Sequence, residues 1–355
     1  MKGVKVSRSL LEETLQSSAK SGVVIGTGDC IYHLAYTPPT SIDTNQLLFD
    51  TLSVKLSNTS TYADWVVEHF KQVSKMLVGG LRVLGLFTTG EVDSIYDSKQ
   101  TAQQKDVLQL LTKINKHIKA NTLIHLHFSS VQSVCRELNF ESLKTTTLHL
   151  VLEDLVPLQK VTALVPVFIQ TQETQVGEQV HHLINELSKS FMKSFILVDK
   201  SQLRAKIYLK HPSQTQTPKI RLKGYIQVCS VFTATTDEKQ IAEDLKQDFV
   251  SNLKTRKEFL FQTTQSFGAT TAFPRRVLLE GHKGVTFSDI LFEDETTHNS
   301  LERASELLSF TPLEVWEHEK PIPKPTTSKK PPWFVVPLLV LLTALLIGVI
   351  SKLLT

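Results

Sequence analysis

Residues 65–87 read WVVEHFKQVSKMLVGGLRVLGLF, and this stretch decides the fold of the chain. Its first part places Val66, Phe70 and Val73 on one side of a helix, which predicts a helix over residues 63–77 with one buried face. Two glycines end that helix. The apolar run at 81–87 then predicts a buried strand. A helix followed directly by a buried strand indicates a domain that mixes α and β structure.

The same alternation continues on both sides of this stretch. Upstream, a Thr-Gly-Asp turn between two apolar runs predicts a β-hairpin over residues 22–36. Downstream, the apolar periodicity predicts helices at 100–120, 178–192, 237–261 and 299–308, and strands at 122–128, 147–152, 161–170, 194–198, 220–234, 275–279 and 287–292. We therefore expect an α+β protein.

The composition is that of an ordinary globular protein. The chain has 355 residues, of which 41% are hydrophobic and 21% charged, which is enough for roughly two domains. The formal net charge is only +4, and we expect no nucleic-acid partner. Three distant cysteines, Cys30, Cys135 and Cys229, exclude a disulfide scaffold and show no zinc-ribbon pairing.

The stretch WFVVPLLVLLTALLIGVIS at residues 333–351 carries no charge. As a helix it would be about 28 Å long, close to the thickness of a bilayer's hydrocarbon core. Its leucine, valine, isoleucine and phenylalanine side chains favour insertion by roughly −4 to −8 kcal/mol. We therefore predict a transmembrane anchor, in which the membrane-facing residues include Trp333, Phe334, Leu338, Leu342, Leu346 and Ile350.

The flanks of this segment predict its topology. The first 30 residues contain no long apolar run, so we expect no signal peptide. Four residues follow the span, so we expect a single-pass tail anchor with the bulk of the chain facing the cytosol. Lys324, Lys329 and Lys330 precede the span, in agreement with the positive-inside rule. The proline- and lysine-rich residues 319–332 predict a semi-extended linker.

Few residues are candidates for catalysis or metal binding. The sequence contains no P-loop, HExxH, GxSxG or kinase signature. The glycines at positions 26 and 28 fit a hairpin turn better than a dinucleotide loop, because no helix pattern follows them. His125 and His127 share one face of a predicted strand, an arrangement that suits a metal. Cys30 and Cys135 each have histidines near in sequence, so a Cys–His nucleophile stays open.

The spacing of a known zinc motif tests whether His125 and His127 could belong to a zinc site. MPN-type metalloproteases, which remove ubiquitin-like modifiers, hold zinc with His-x-His, seven residues, Ser, two residues and Asp. Counting from His125 and His127 leads to Cys135 and Leu138, so the carboxylate ligand is missing. An alternating strand also explains the two histidines without a metal.

The chain resembles the MPN fold at a different place. Residues 65–87 look like the MPN segment whose strand leads into the His-x-His motif. Aligned there, the motif positions become Thr88, Gly90, Ser98 and Thr101, of which only the serine matches. Zinc needs three protein ligands in such a site. The resemblance therefore implies an MPN-like, inactive JAMM-type domain, followed by a second α/β region.

A more specific resemblance covers most of the chain. Residues 65–87 are similar to the signature stretch of the odorant-response-abnormal protein four family. The run FPRRV at 273–277, with Ser288, Asp289 and the FED run at 292–294, resembles that family's second signature. The resemblance implies a non-enzymatic, tail-anchored protein of the endoplasmic reticulum membrane. Such a protein would assist the folding or trafficking of G-protein-coupled receptors of the odorant type.

The same resemblance implies protein partners and an organisation for the chain. The expected partners are the ubiquitin-fold-modifier-specific protease or another MPN-like subunit, receptor clients and the lipid bilayer. The expected regions are an MPN-like pseudoprotease domain at 1–155, a second α+β region at 156–318, a linker at 319–332 and the anchor at 333–351. We expect no catalytic residue, no metal and no cofactor. The alternative is an enzyme: a membrane-bound metallo- or cysteine-isopeptidase of the MPN class that uses His125, His127 or Cys135.

Overall fold

Helices and three β-sheets make up the part of the chain that the structure describes. The computed structural model describes residues 3–16, 21–38, 59–89, 102–128, 133–171, 176–208, 220–263, 274–292 and 294–319. All of them belong to one unit, Met1–Lys320. Within these ranges, no helix is both long enough and apolar enough to cross a membrane. The predicted anchor, from Trp333 to Ser351, lies outside the described residues and stays a prediction.

The first sheet is a closed barrel of seven strands. Its elements are β1 (Gly3–Val6), α1 (Arg8–Gln16), β2 (Ser21–Thr27), β3 (Cys30–Tyr36), α2 (Thr59–Met76), β4 (Arg82–Thr89), α3 (Ala102–Ile118), β5 (Thr122–Phe128), β6 (Ser133–Asn139) and β7 (Lys144–Leu152). Around the barrel the strands follow the order β1-β3-β2-β4-β5-β6-β7, and β1 closes it by parallel pairing with β7. The predicted hairpin is confirmed as the antiparallel pair β2–β3.

Successive side chains of a barrel strand point to opposite faces, so several of the strands contribute to two apolar layers. All seven strands supply at least one side chain to a cluster in the interior, among them Val24, Ile31, Leu126 and Cys135. The opposite faces of β2, β4 and β5 pack against α2 and α3. The helix and strand predicted from residues 65–87 are thus confirmed as neighbours in this second layer.

The second sheet has four strands in the order β11-β8-β10-β9. Its elements are β8 (Gln159–Thr171), α4 (Val176–Met192), β9 (Phe195–Asp199), β10 (Arg204–Tyr208), β11 (Ile220–Phe232) and α5 (Glu238–Thr263). One face of the sheet is covered by α4 and α5, whose Phe191 and Phe249 rings stack with centroids 3.8 Å apart. The described helices that pack on this sheet therefore lie on one of its two faces.

The third sheet joins the two others. It has the order β13-β12-β14 and consists of β12 (Arg275–Glu280), β13 (Thr286–Leu291), α6 (Thr297–Leu308) and β14 (Glu314–Trp316). Val277 and Phe287 from this sheet share one apolar cluster with Val66 and Phe70 of α2 and with Val231 of β11. The predicted division into regions 1–155 and 156–318 stays a prediction.

The glycine pair after α2 is a contact point between the barrel and the second sheet. The Gly79 N–H donates to the Cys229 carbonyl at 3.0 Å, and the Gly79 carbonyl accepts from the Val231 N–H at 2.9 Å. A Cβ atom on Gly79 would lie 2.5 Å from the Asp244 carbonyl oxygen, and Gly80 has a φ of 85°. Larger residues are therefore excluded on steric grounds at both positions.

Arg276 of β12 is buried beside β11 and strengthens the same contact region. Arg276 donates to both carboxylate oxygens of Asp248, at 2.5 and 2.7 Å, and to the Ser288 hydroxyl at 2.9 Å. Asp248 also accepts from the backbone N–H groups of Cys229 and Gly79, at 2.8 and 3.1 Å. The ion pair therefore binds α5, β11, β12 and the glycine pair at one point.

A second buried arginine fixes the end of the described chain. Arg256 donates to both carboxylate oxygens of Glu319, at 2.6 and 2.7 Å, and to the Pro274 carbonyl at 2.6 Å. Glu319 in turn accepts from the backbone N–H groups of Gln227 and Arg276. An unpaired strand edge is a template for pairing with other chains, and here side chains occupy this part of the β11 edge.

We predict that Arg276→Ala strongly destabilises the protein. The substitution leaves the carboxylate of Asp248 buried without its counter-charge, which typically costs about 3–5 kcal/mol. Urea unfolding of the full-length protein in detergent measures the loss. Arg82→Ala is the control, because Arg82 is exposed and approaches Asp244 only to 3.8 Å, so its loss should stay below about 1 kcal/mol. Equal, small losses in both variants would contradict the prediction.

Candidate functional site

The two candidate histidines lie on β5 beside Thr88 of β4. The strands pair in parallel, with Thr88 opposite His127 and Leu86 opposite His125. The Thr88 hydroxyl oxygen lies 3.0 Å from Nε2 of His125 and 3.0 Å from Nδ1 of His127. All three side chains are buried. The structure thus unites two sets of residues that the sequence offered as separate alternatives, the histidine pair and the first degenerate motif position.

The hydrogen bonds of this Thr88–His125–His127 cluster fix its protonation. A hydroxyl has one proton and two lone pairs, so Thr88 donates to at most one ring and accepts an N–H from a ring to which it does not donate. Burial lowers the pKa of His125 to about 3, with the neighbouring charges of His127 and Arg136 adding to the effect. Burial also lowers the pKa of His127. At neutral pH both rings are therefore uncharged.

The cluster does not form a zinc site of the MPN type. A zinc site needs at least a third protein ligand beside two imidazoles, and threonine is not among the usual zinc ligands. In the part of the chain that the structure describes, no group of three or more His, Cys, Asp or Glu side chains is arranged to hold a metal. The remaining motif positions, Gly90, Ser98 and Thr101, lie outside the described residues.

The cysteine candidates also lie away from the histidine cluster. Cys135 pairs with Leu126 and belongs to the barrel interior, whereas His125 pairs with Arg136 on the opposite face of the sheet. Burial raises the pKa of the Cys135 thiol to about 12, and the charge of Glu137 adds to the rise. Burial also raises the pKa of Cys30. A thiolate nucleophile needs the opposite shift.

Two other histidines hold the end of α6. Nε2 of His33 on β3 lies 2.6 Å from the Leu308 carbonyl oxygen, and Nε2 of His69 on α2 lies 2.7 Å from that of Leu307. The last carbonyls of a helix lack partners within the helix. Burial lowers the pKa of His33 to about 4 and also lowers that of His69. These neutral rings therefore fasten α6 to the barrel, a role that sequence patterns did not indicate.

A cavity of about 670 Å³ lies where β4 and β5 begin and α3 ends. Its polar lining combines cationic Arg82 and Lys119 with anionic Asp29 and Glu137, next to apolar strand residues. Both charge signs are present, so the lining selects neither an anion nor a cation. The cavity contains neither of the two histidines of the cluster.

Fold and site together define an α+β protein that contains a barrel, with two buried histidines within hydrogen-bond distance of one threonine hydroxyl. The sequence matches the family model described as Odorant response abnormal 4-like over residues 22–219 and 200–315. The chain belongs to this odorant response abnormal 4-like family, and the prediction made from residues 65–87 and 273–294 is confirmed. No curated protein gives a significant match.

The comparison with solved structures gives a weak likeness. The chain resembles a crystal structure of UfSP from C. elegans with a TM-score of 0.45 and 9% sequence identity. The superposition covers 88% of this chain and 57% of that chain, so the present chain spans little more than half of the UfSP length. A TM-score of this size does not establish a shared fold, and the MPN-like class stays a prediction.

We predict that the protein loses stability as the pH falls below about 6.5. Unfolded histidine has a pKa near 6.5, whereas burial lowers that of His33 to about 4 and that of His125 to about 3. Above pH 6.5 these rings are neutral in both states and stability is unaffected. Below pH 6.5 the histidines of the unfolded chain take up protons, whereas the buried rings of the folded chain do not. The free energy of unfolding therefore falls by up to about 1.4 kcal/mol per pH unit for each ring.

Urea unfolding of the full-length protein from about pH 7 to about pH 5 measures this slope. His33→Gln keeps an amide donor for the Leu308 carbonyl but cannot titrate, so its slope should be shallower. His298→Gln is the control for replacing a histidine by glutamine, because the His298 side chain is largely exposed. An identical slope in all three proteins would exclude His33 as a contributor.

Proposed function

We propose that this protein is a non-enzymatic, tail-anchored adaptor of the endoplasmic reticulum membrane, with most of the chain in the cytosol. It assists the folding or trafficking of G-protein-coupled receptors of the odorant type. It also holds the ubiquitin-fold-modifier-specific protease, or another MPN-like subunit, at the membrane. The observation that carries the proposal is family membership over residues 22–219 and 200–315, in a family whose description refers to an abnormal odorant response.

The Thr88–His125–His127 cluster supports a body that binds rather than catalyses. A catalytic zinc site keeps three protein ligands and one open position for water or substrate. In the cluster, the hydroxyl of Thr88 lies within hydrogen-bond distance of both imidazoles, and the three side chains are buried. Such a centre stabilises the sheet but offers no activated water.

The sequence beyond the described residues supports membrane attachment. Residues 333–351 carry no charge, and Trp333 stands at the predicted interface. Twelve residues, 321–332, include five prolines and separate this segment from the body. A proline-rich linker acts as a semi-rigid spacer, so the body can bind partners in the cytosol while the tail stays inserted.

We predict that the full-length protein, purified in detergent, binds no stoichiometric zinc and cleaves no ubiquitin-fold-modifier conjugate when assayed alone. The physical reason is that, among the residues that the structure describes, none supplies a third ligand beside His125 and His127. Elemental analysis and a gel-based cleavage assay measure the two properties. About one zinc per chain that disappears in His125→Ala, together with cleavage, would establish the isopeptidase alternative instead.

We predict that Leu342→Arg releases the protein from membranes. Arginine at the centre of a span costs about 2.5–3.5 kcal/mol, and one leucine's contribution is lost as well. Carbonate extraction of cell membranes measures the release. Leu342→Ala is the matched control and should stay membrane-bound, whereas truncation after Lys330 should give complete release. Truncated protein that still resists extraction would show that another part of the chain holds the membrane.

The same variants test the function in cells that lack the protein. Surface delivery of an odorant-type receptor should be restored by the wild type and by Leu342→Ala, and not by Leu342→Arg or the truncated chain. The modifier-specific protease should shift to the soluble fraction in parallel. Full receptor delivery by a chain that is no longer on the membrane would contradict the adaptor proposal.

A further inference from the structure

The second sheet exposes large apolar side chains on the face opposite α4 and α5. On β9 and β10, residues that point toward these helices are buried or half-buried, and the alternate residues point outward. The outward set includes Phe195, Leu197 and Tyr208, which are 65%, 50% and 57% exposed, with Leu164 at 48% and Tyr225 at 60%. We call these five residues the open sheet face.

Strand register makes the open sheet face continuous. Tyr208 lies opposite Phe195 across β10 and β9, with ring centroids 6.0 Å apart. Tyr225 lies opposite Pro166 across β11 and β8, and β8 pairs in parallel with β10. Contiguous apolar patches of this kind are rare on soluble monomers unless they bind something.

Cations stand among these apolar side chains. Lys206 lies opposite Leu197 and is exposed, and Arg204 lies opposite Asp199 at the edge of the face. Tyrosine rings prefer the headgroup level of a bilayer, where their apolar body and polar tip are both satisfied. Lysine and arginine near the surface add attraction to anionic lipids. The composition of the face therefore matches a membrane interface.

The chain leaves the described structure at the border of this face. Glu319 is the last described residue, and Arg256 and the Gln227 N–H hold its carboxylate. Gln227 lies opposite Leu164 and two residues from Tyr225 on β11. The linker to the predicted anchor therefore begins beside the open sheet face and not at the barrel.

The length of this linker limits how far the body can stand from the bilayer. Twelve residues, 321–332, span about 37 Å at about 3.1 Å per residue when fully extended. A unit of this size has a radius of gyration of roughly 20 Å. A sphere with this radius of gyration is about 50 Å across, so the linker is shorter than the body and would keep the surface around its starting point near the lipid.

We propose that the open sheet face lies against the headgroup layer of the membrane that holds the anchor. Phe195, Leu197 and Tyr208 reach the interface, and Lys206 contacts anionic lipid headgroups. The proposal rests on the tail anchor proposed above and adds an orientation to it. With the second sheet on the membrane, α4 and α5 face the cytosol.

The test uses full-length protein in vesicles of phosphatidylcholine with a minor fraction of phosphatidylserine. An environment-sensitive fluorophore is attached at Leu197→Cys, in a background where the half-buried Cys30 is serine. Nitroxide lipids in the headgroup region should quench this label several-fold more than the same label at Leu152→Cys. Leu152 is the matched control because it is 45% exposed on barrel strand β7. Lys206→Glu should reduce the quenching at position 197.

Carbonate extraction of the same vesicles separates the two proposals. If the protein is extracted, the tail anchor is wrong and the orientation falls with it. If the protein resists extraction but the label at 197 is quenched no more than the label at 152, the anchor holds and the orientation is overturned. A label at 197 that is shielded from aqueous iodide without lipid quenching would also overturn the orientation, because a protein or a second copy would then cover the face.

Discussion

Two buried arginine–carboxylate pairs connect the second sheet, the third sheet and the glycine pair that precedes β4. Arg276 donates through both terminal nitrogens to Asp248, and Arg256 donates through Nη2 to both carboxylate oxygens of Glu319. Both carboxylates also accept backbone N–H groups of β11. Removing one charge of such a pair leaves the other desolvated and unpaired. The edge of the second sheet, the position of the third sheet and the exit of the chain therefore depend on the same interactions.

The sequence predicts best those elements whose periodicity is strong and local. The strand at residues 122–128 matches β5 to the residue, and the helices around 63–77 and 100–120 match α2 and α3 within a few residues. β6 was missed, because SVCRELN at 133–139 mixes polar and apolar residues without alternation. The closure of the barrel was missed as well. It pairs the four-residue strand β1 with β7, nearly 150 residues away, and no local pattern reports such a contact.

The buried arginines show a second limit of prediction from sequence, because the partner in an ion pair lies far away along the chain. Arg276 lies in the run RRVLLE, where a charge at an otherwise buried strand position signals a buried partner. The partner Asp248 lies on α5, and Arg256 and Glu319 carried no sequence signal at all. The histidine cluster was half predicted, because His125, His127 and Thr88 were all named, but as rival candidates. Only the parallel register of β4 and β5 places both imidazole rings beside the hydroxyl of Thr88.

The fixed position of Glu319 has a consequence for an adaptor. Because its carboxylate is bound by Arg256 and by two backbone N–H groups, the point at which the linker starts is set by folding. In the proposed tail-anchored arrangement, a linker that spans at most about 37 Å would confine whatever the body binds to a thin layer at the membrane. Within that layer the partner's effective concentration is set by linker length and stiffness, and can far exceed its concentration in the cytosol without any new contact. Under the adaptor proposal, the buried ion pair would set where the linker starts, the prolines would set how far it reaches, and partner recognition would be left to the surface of the body.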